Sequence, residues 1–425
     1  MRILLLGASG FIGRELLAAL AARGHLVVAG VHRRPAVAPH AAHALVTIDL
    51  NHATRPEDWT DVLGGCDAVV NCAGVLQGTR SQSIEAIHQR APIALFRACE
   101  ATGVRRVVQI SAISARREAG TAYALTKLAA DDHLRASALE WTVVRPSLVV
   151  ARGAYGGTAL FRGLAALPFF IPLPGDGRQE FQPIHVADLA RVVTLAIEEA
   201  SLVRKTVDPV GPDVVTLGRL LEDYRRWLGL APVPVLAMPA ALVRMATWLG
   251  DRLGGPINST AAAQLAFGNT GDPTEFERAV GFRPRRWRDV LAAEPAHVQD
   301  RWHARLYFVR PLLRATLALL WLVSGVVGMF AGWGPELAAA SGMPVSTASA
   351  MLLLLCVADI AIGALIAARW RPRLVCGIQV VMITAYTVVA SALWPAMWAH
   401  PLGLLLKNLP IIAAALALGA IEEER

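Results

Sequence analysis

The sequence predicts an α/β chain built on a doubly wound parallel sheet, followed by an all-α domain of four transmembrane helices. Three observations carry that expectation. Over the first 150 residues or so, short apolar runs alternate with helical patterns, as βαβ units require. The first of these runs opens directly into a glycine-rich turn, MRILLLGASGFIG. At the other end, four apolar segments of about 20 residues each, at 312–331, 349–368, 374–394 and 402–421, are long enough to cross a bilayer core of ~30 Å.

With 425 residues, 55% of them hydrophobic and only 17% charged, the chain is too apolar for an ordinary soluble protein and long enough for two or three domains. The net charge of +8 does not indicate a nucleic-acid partner. Its arginines are scattered over helix faces and beside the apolar segments, with no aromatic-interleaved basic stripe. Cys66, Cys72, Cys99, Cys356 and Cys376 lack metal-type spacing, so no metal site is expected; Cys66, Cys72 and Cys99 read as small buried thiols, and a reducing compartment fits. The apolar start is too short for a signal peptide before the glycine turn intervenes. Asn258-Ser259-Thr260 has the form of a glycosylation sequon, which a cytosolic domain would not use.

Strands are expected at Ile3–Leu6, Leu26–Val31, Leu45–Ile48, Ala68–Cys72, Arg106–Ile110 and Thr142–Arg145. In the turn Gly7-Ala8-Ser9-Gly10-Phe11-Ile12-Gly13, each glycine has its own task. Gly7 allows the tight bend, Gly10 admits a pyrophosphate close to the backbone, and Gly13 lets the next helix pack on the strand. Ser9, Phe11 and Ile12 complete a dinucleotide site whose helix aims its first N–H groups at the phosphates. Roughly 20 residues on, where an NAD site places Asp or Glu on the ribose, stand Val31-His32-Arg33-Arg34. Arg33 or Arg34 can pair a 2′-phosphate, so NADP is expected rather than NAD. Asp49 and Leu50 follow the third strand, where the adenine would lie, and Asn71-Cys72-Ala73-Gly74 closes the fourth beside the cofactor.

Tyr123-Ala124-Leu125-Thr126-Lys127 sets a phenol and an ammonium at i and i+4 on one helix face. A nearby cation lowers a phenol pKa, which suits Tyr123 to acid/base work, and Lys127 can also hold the nicotinamide ribose. Lys127, Lys205 and Lys407 are the only lysines among 41 basic Lys and Arg residues, so a lysine kept at this position points to a specific task. Ser111 ends the fifth strand at the sheet's carboxyl edge and is a candidate for orienting a substrate carbonyl, with Ser114 as its competitor.

These segments (GASGFIG, NCAG, QISA with Ser111, YALTK, VVRPS and FQPIHVADLA) together resemble the short-chain dehydrogenase/reductase superfamily in its extended or atypical branch. The likeness covers about residues 1–295 and lies with the group that includes the dinucleotide-binding accessory subunit of respiratory complex I. The resemblance implies a Rossmann core (1–150), a small α/β substrate region (150–295), and Ser111, Tyr123 and Lys127 as the catalytic triad. It also implies that Arg145-Pro146-Ser147 lies beside the nicotinamide and that His185 and Asp188 belong to the segment returning to the sheet. The pattern departs at His88, which stands where most members carry the asparagine of a proton relay; histidine can also relay protons. The apolar tail (312–421), joined through a juxtamembrane linker (296–311), is similar to the DoxX-like four-span family, notably in HPLGLLLKNLP.

Arg301, Arg305, Arg310 and Arg314 precede or open the first span, and Arg369, Arg371 and Arg373 fill the loop between the second and third. The other two loops carry no Lys or Arg, so both termini are expected on the cytoplasmic side of the inner membrane. Asp359, within a span, and Lys407, early in the last one, are intramembrane ionisable residues; Lys407 reads as snorkelling or as the partner of Asp359. The substrate region is apolar around Leu164, Leu167, Phe169, Phe170 and Ile171, which suits a lipid or quinone-like small molecule as much as a plain core. It also holds amphipathic patterns at Leu217–Leu228 and Ala240–Leu253.

Three functions follow. The first is a membrane-anchored NAD(P)-dependent oxidoreductase moving a hydride to or from a carbonyl or alcohol. The second is a non-catalytic NADP(H) sensor or assembly factor that meets a membrane-protein partner through the four-span domain. The third is an NAD(P)-dependent epimerase or dehydratase, which Arg33 disfavours.

Overall fold

A computed structural model describes residues 1–422 apart from Ala36, Arg80 and Leu402. Seven parallel strands form one sheet: β1 (Arg2–Leu6), β2 (Leu26–Val31), β3 (Ala44–Thr47), β4 (Ala68–Asn71), β5 (Arg106–Ile110), β6 (Glu140–Val144) and β7 (Lys205–Val207). Their order is β7-β6-β5-β4-β1-β2-β3, so the chain reverses direction across the sheet between β1 and β4, the place where doubly wound folds bind ligands. The six expected strands lie within a residue or two of their predicted positions. The seventh, only three residues long, has too little pattern to be read from sequence.

Alternation along β1 explains the two layers of helices. Ile3 and Leu5 join Leu16, Leu20, Leu189 and Val193 in one core, while Leu4 and Leu6 join Phe96, Leu134 and Trp59 in the other. The helices behind these contacts are α1 (Phe11–Ala22), α2 (Ala91–Thr102), α3 (Ala122–Ala136) and α4 (Val186–Glu198). Beyond the sheet, α5 (Leu217–Trp227) packs Leu217, Leu220, Leu221 and Tyr224 onto Ile171, Leu173 and Trp287 as a third core. The apolar run in the substrate region divides: Ile171 is buried, but Phe169 and Phe170 face outward. α6 (Ala240–Leu253) and α7 (Ser259–Phe267) follow as a helical pair.

The chain divides into two compact units, Met1–Ala304 and Arg305–Arg425. The expected linker 296–311 is mostly helix, because Val298–Phe330 forms one continuous helix with Pro311 inside it. Among the described residues, three helices are long and apolar enough to cross a membrane: Val298–Phe330, Val345–Ala367 and Pro372–Leu393. The fourth apolar segment forms a shorter helix than expected, Asn408–Ile421, with Gly403 turning the chain at φ of 60° before it. Its 14 residues rise about 21 Å, short of the ~30 Å core.

Small residues bring the first two spans together. A Cβ on Gly363 would lie 3.0 Å from the Ala318 carbonyl oxygen, and one on Gly325 would lie 2.6 Å from that of Cys356. Trp321 Nε1–H donates to Gln379 Oε1 at 2.8 Å inside this bundle. Arg314 pairs with the buried Glu422, and Arg373 donates to the Glu422 carbonyl at 3.2 Å, which gathers the basic residues at one end of the bundle. The partner of Asp359 is Tyr386, whose hydroxyl donates to it at 2.7 Å, and not Lys407, which is exposed where the last helix begins.

Candidate active site

The site is built at the carboxyl ends of β1, β4 and β5. β1 runs into Gly7, whose φ of +75° and close approach to β4 both demand glycine: a Cβ there would lie 2.9 Å from Ala73 N. A Cβ on Gly13 would lie only 2.0 Å from the Gly7 carbonyl oxygen, so the start of α1 can sit against the turn only without a side chain. Gly10 caps α1 with no side-chain hydrogen bond and no acid in the first turn, which leaves the helix's positive end open to an anion. Ser9 is exposed, and Phe11 stacks on Tyr155 with ring centroids 6.5 Å apart.

The loop after β4 forms the opposite wall. Asn71 is buried between Gln109, to which its amide donates at 2.8 Å, and the Ala73 N–H, which donates to it at 3.2 Å. Cys72 donates to the Leu6 carbonyl at 2.9 Å, and burial pushes its thiol up to about 12, so it offers no thiolate. A Cβ on Gly74 would lie 3.2 Å from His88 Nε2 and 3.5 Å from Lys127 Nζ, so this glycine keeps the wall open beside the lysine. Glycine cradle, open helix terminus and bare wall together fit a dinucleotide.

Arg33 and Arg34 project into solvent after β2, and no ion pair engages either one among the described residues. Asp49 is held by Asn51, whose backbone N–H donates at 2.9 Å and side-chain amide at 2.7 Å, and lies 3.6 Å from His32. Desolvation opposes its charge, but those bonds and the nearby His32 and His52 keep the carboxyl below its ordinary value. Leu50 packs against the core beside it.

α3 carries the reactive face. Its N-terminus is capped by Thr121, whose hydroxyl accepts from Ala124 N–H at 3.2 Å. Tyr123 and Lys127 lie one turn apart, with Lys127 Nζ 5.8 Å from the Tyr123 ring centroid. Lys127 is buried and donates to the Ile110 carbonyl at 3.2 Å, and desolvation lowers its pKa. The expected depression of the phenol by Lys127 is not met. Burial, followed by the negative charge of Asp131, pushes Tyr123 up to about 12, because the ammonium is turned toward the Ile110 carbonyl. The phenol is therefore held neutral, as a proton donor.

Asp131 is the residue sequence reasoning missed. It is fully buried one further turn along α3 and accepts the Ser111 hydroxyl at 2.5 Å. Desolvation raises its carboxyl to about 6, against the lowering effect of Ser111 and Lys127. The signal was present in the sequence: Tyr123, Lys127 and Asp131 fall at i, i+4 and i+8. Ser114 is also buried, with its backbone carbonyl bonded to Arg116 N–H.

His88 sits in a π-helical turn, Ala86–Arg90, before α2. Val75 N–H donates to its Nε2 at 3.0 Å, so Nδ1 carries the proton and faces Thr126 Oγ1 at 3.3 Å. The Thr126 hydroxyl in turn donates to the Ala122 carbonyl at 2.7 Å. Burial, with Lys127 nearby, drives the imidazole down to about 2, and its ring meets Tyr123 edge-on at 5.4 Å. In this neutral form the ring accepts at Nε2 and presents its one N–H toward Thr126.

The remaining expected residues divide. Arg145 forms a bidentate pair with Asp208 at 2.7 and 2.9 Å. The two line a cavity of about 720 Å³ with Arg116, Asp272 and Glu275. Pro146 is buried, with its carbonyl accepting from Ile113 N–H at 3.1 Å, and the Ser147 hydroxyl is bound to the Gln182 carbonyl. His185 caps α4 and accepts from Arg285 at 2.7 Å, while Asp188 pairs with Arg285 at 3.2 Å, so both clamp the returning segment.

The NAD(P)H-binding family matches residues 7–199, and the DoxX-like family matches residues 318–416. The mitochondrial NADH dehydrogenase [ubiquinone] 1 alpha subcomplex subunit 9 of Arabidopsis thaliana is 28% identical over 55% of this chain and 61% of its own length. The ceramide reductase of Caulobacter vibrioides is 28% identical over 47% of this chain and 64% of its own length. The chain thus spans somewhat less than two thirds of each of these two proteins. The 3-diazoavenalumate denitrifying reductase of a Streptomyces species is 30% identical over 69% of this chain and the whole of its own length. Among solved structures, MoeE5 in complex with UDP-glucose and NAD superposes with a TM-score of 0.54 at 20% identity, covering 73% of this chain and 100% of that one; this likeness shows the fold. The glycine cradle on the parallel sheet and these matches give the same answer: the chain belongs to the extended branch of the short-chain dehydrogenase/reductase superfamily, joined to a C-terminal DoxX-like domain.

Proposed function

We propose that the chain is a membrane-anchored, NADP-dependent oxidoreductase that reduces a carbonyl on a hydrophobic small molecule. The observation that carries this reading is the convergence of Tyr123, Lys127 and Asp131, from one face of α3, with Ser111 from β5 beside the glycine cradle. Bound in that cradle, the reduced nicotinamide supplies the hydride. Ser111 orients the carbonyl oxygen, and Tyr123, held neutral by burial, gives that oxygen its proton. Lys127 stays beside the open wall at Gly74, where it would hold the nicotinamide ribose. Asp131 positions the Ser111 hydroxyl and acts through it. Arg33 and Arg34, exposed and without ion pairs among the described residues, supply the charge for a 2′-phosphate.

Two relatives are named reductases, which supports the direction, and one of them is named for a lipid, which supports a hydrophobic substrate. The arginine distribution supports an N-terminal unit on the cytoplasmic side of the inner membrane. The test is to incubate the full-length protein in detergent with NADPH and a lipid-plus-metabolite extract, wild type beside Tyr123→Phe. A species consumed by wild type alone supports the reading. Equal consumption by both proteins contradicts it.

One observation favours a second reading. His88 replaces the expected relay residue with a locked, neutral imidazole, which suits a module that binds NADP(H) to sense redox state or to stabilise a membrane assembly. In that case, function would tolerate substitution of Tyr123 and Lys127 but fail when Gly7 becomes bulky.

A further inference from the structure

α6 is built inside out. Its smaller residues, Val243, Ala246, Thr247 and Gly250, form its sheltered side. Gly250 is buried, and a Cβ there would lie 1.7 Å from the Ile257 carbonyl oxygen. Its large apolar residues point the other way. Leu242 is 43% exposed, Met245 54%, Trp248 51%, Leu249 41% and Leu253 80%. At 100° per residue these five fall within one arc of roughly 140°, a continuous apolar stripe facing away from the fold. The strand Val235–Met238 that feeds this helix adds Leu236, at 47%. A globular domain does not leave such a stripe in water without a partner to cover it.

The features around the stripe say what covers it. The only charged side chain inside the arc is Arg252, whose guanidinium lies 3.8 Å over the Trp248 ring, and Arg244 flanks it. Acidic residues are absent from the arc, and Asp251, next to Arg244 outside it, is occupied by Ser259 and Gln77. Leucine, methionine and tryptophan edged by arginine describe a helix that lies in the headgroup layer of an anionic membrane. The unit is also tethered to a membrane-capable segment, because it ends at Ala304 within the apolar helix Val298–Phe330.

We propose that the outward face of α6 docks on the anionic bilayer surface, as an interfacial helix beside the mouth of the candidate site. Two hydrogen bonds tie the helical pair to that mouth. Gln77, just past the Gly74 wall, donates to Asp251 at 3.3 Å, and Gln264 of α7 donates at 2.7 Å to Thr121, the cap of the helix bearing Tyr123. The helical pair that carries the docked face is thus fastened to both walls of the candidate site, so docking would bring that site close to the lipid surface.

The test is nitroxide accessibility in the full-length protein, reconstituted in vesicles of phosphatidylethanolamine and phosphatidylglycerol. Labels are placed at Met245→Cys and Leu249→Cys, with Asp61→Cys as the exposed control and unsubstituted protein to report labelling of the native cysteines. NADPH binding in each sample confirms the fold, and the readout does not depend on turnover, so it stands or falls separately from the catalytic reading. The expected result is that labels at 245 and 249 collide with oxygen several-fold more than with a water-soluble nickel chelate, the reverse of position 61. Nickel access equal to that of the control would overturn the proposal by putting the face in water. Protection from both reagents would overturn it by showing a protein partner, such as a second copy.

Discussion

The Ser111 hydroxyl donates to the Asp131 carboxylate at 2.5 Å, and both groups are buried at the end of β5. While Asp131 is ionised, the serine proton is committed to it, and Ser111 offers a substrate oxygen no hydrogen. Once Asp131 is protonated, the bond reverses and the serine proton is free. Since burial raises this carboxyl to about 6, kcat/KM for carbonyl reduction should rise as pH falls through 6, by about tenfold for one hydrogen bond. Asp131→Asn should remove that inflection and leave NADPH affinity unchanged; the pH profile of both proteins checks this.

Gly13→Ala should cost both stability and cofactor. The new methyl would lie 2.0 Å from the Gly7 carbonyl oxygen, forcing α1 off the turn that holds the pyrophosphate. A stability loss of about 1–3 kcal/mol is expected, with NADPH affinity reduced at least ~100-fold, read by unfolding and by cofactor fluorescence.

The double variant Arg33→Ala/Arg34→Ala should reverse cofactor preference without affecting the cradle. A charge-assisted contact to a 2′-phosphate contributes about 1.5–3 kcal/mol, so NADPH binding should weaken by roughly 10- to 100-fold. NADH binding should stay within about twofold of wild type, since it lacks that phosphate. The ratio of the two Kd values is the measurement.

His88 makes the fold acid-sensitive. Its folded pKa of about 2 lies below the unfolded value near 6.5, so the unfolded chain binds a proton that the folded one refuses. The contribution to stability is complete above pH 6.5 and falls by about 1.4 kcal/mol for each unit of acidification below it. His88→Gln keeps an acceptor for Val75 N–H and should flatten this dependence by one proton in Tm measurements between pH 5 and 7.5.

What could be read in advance was what repeats or alternates. Ile3 to Leu6 and the glycines after them required a buried strand, a tight turn and a close-packed helix, and the structure has all three. What escaped was set by tertiary context. Asp131 shares a helix face with Tyr123 and Lys127 in the sequence, but its bond to Ser111 exists only in the fold. The three residues of β7 take strand geometry only by pairing with β6, and its neighbour Asp208 then pairs with Arg145, a contact no sequence pattern announces. The periodicity at Ala240–Leu253 marked an amphipathic helix but could not say that its apolar side faces outward.

The most direct test of the central claim follows the hydride itself. Full-length protein in detergent is given NADPH deuterated at C4, on either face, together with a membrane lipid extract, and products are read by mass spectrometry. The account predicts a product one mass unit heavier, formed from one of the two deuterated cofactors by wild type and by neither with Tyr123→Phe. If no deuterium reaches any product although both proteins bind NADPH tightly, the chain holds its cofactor without spending it, and the oxidoreductase reading is wrong.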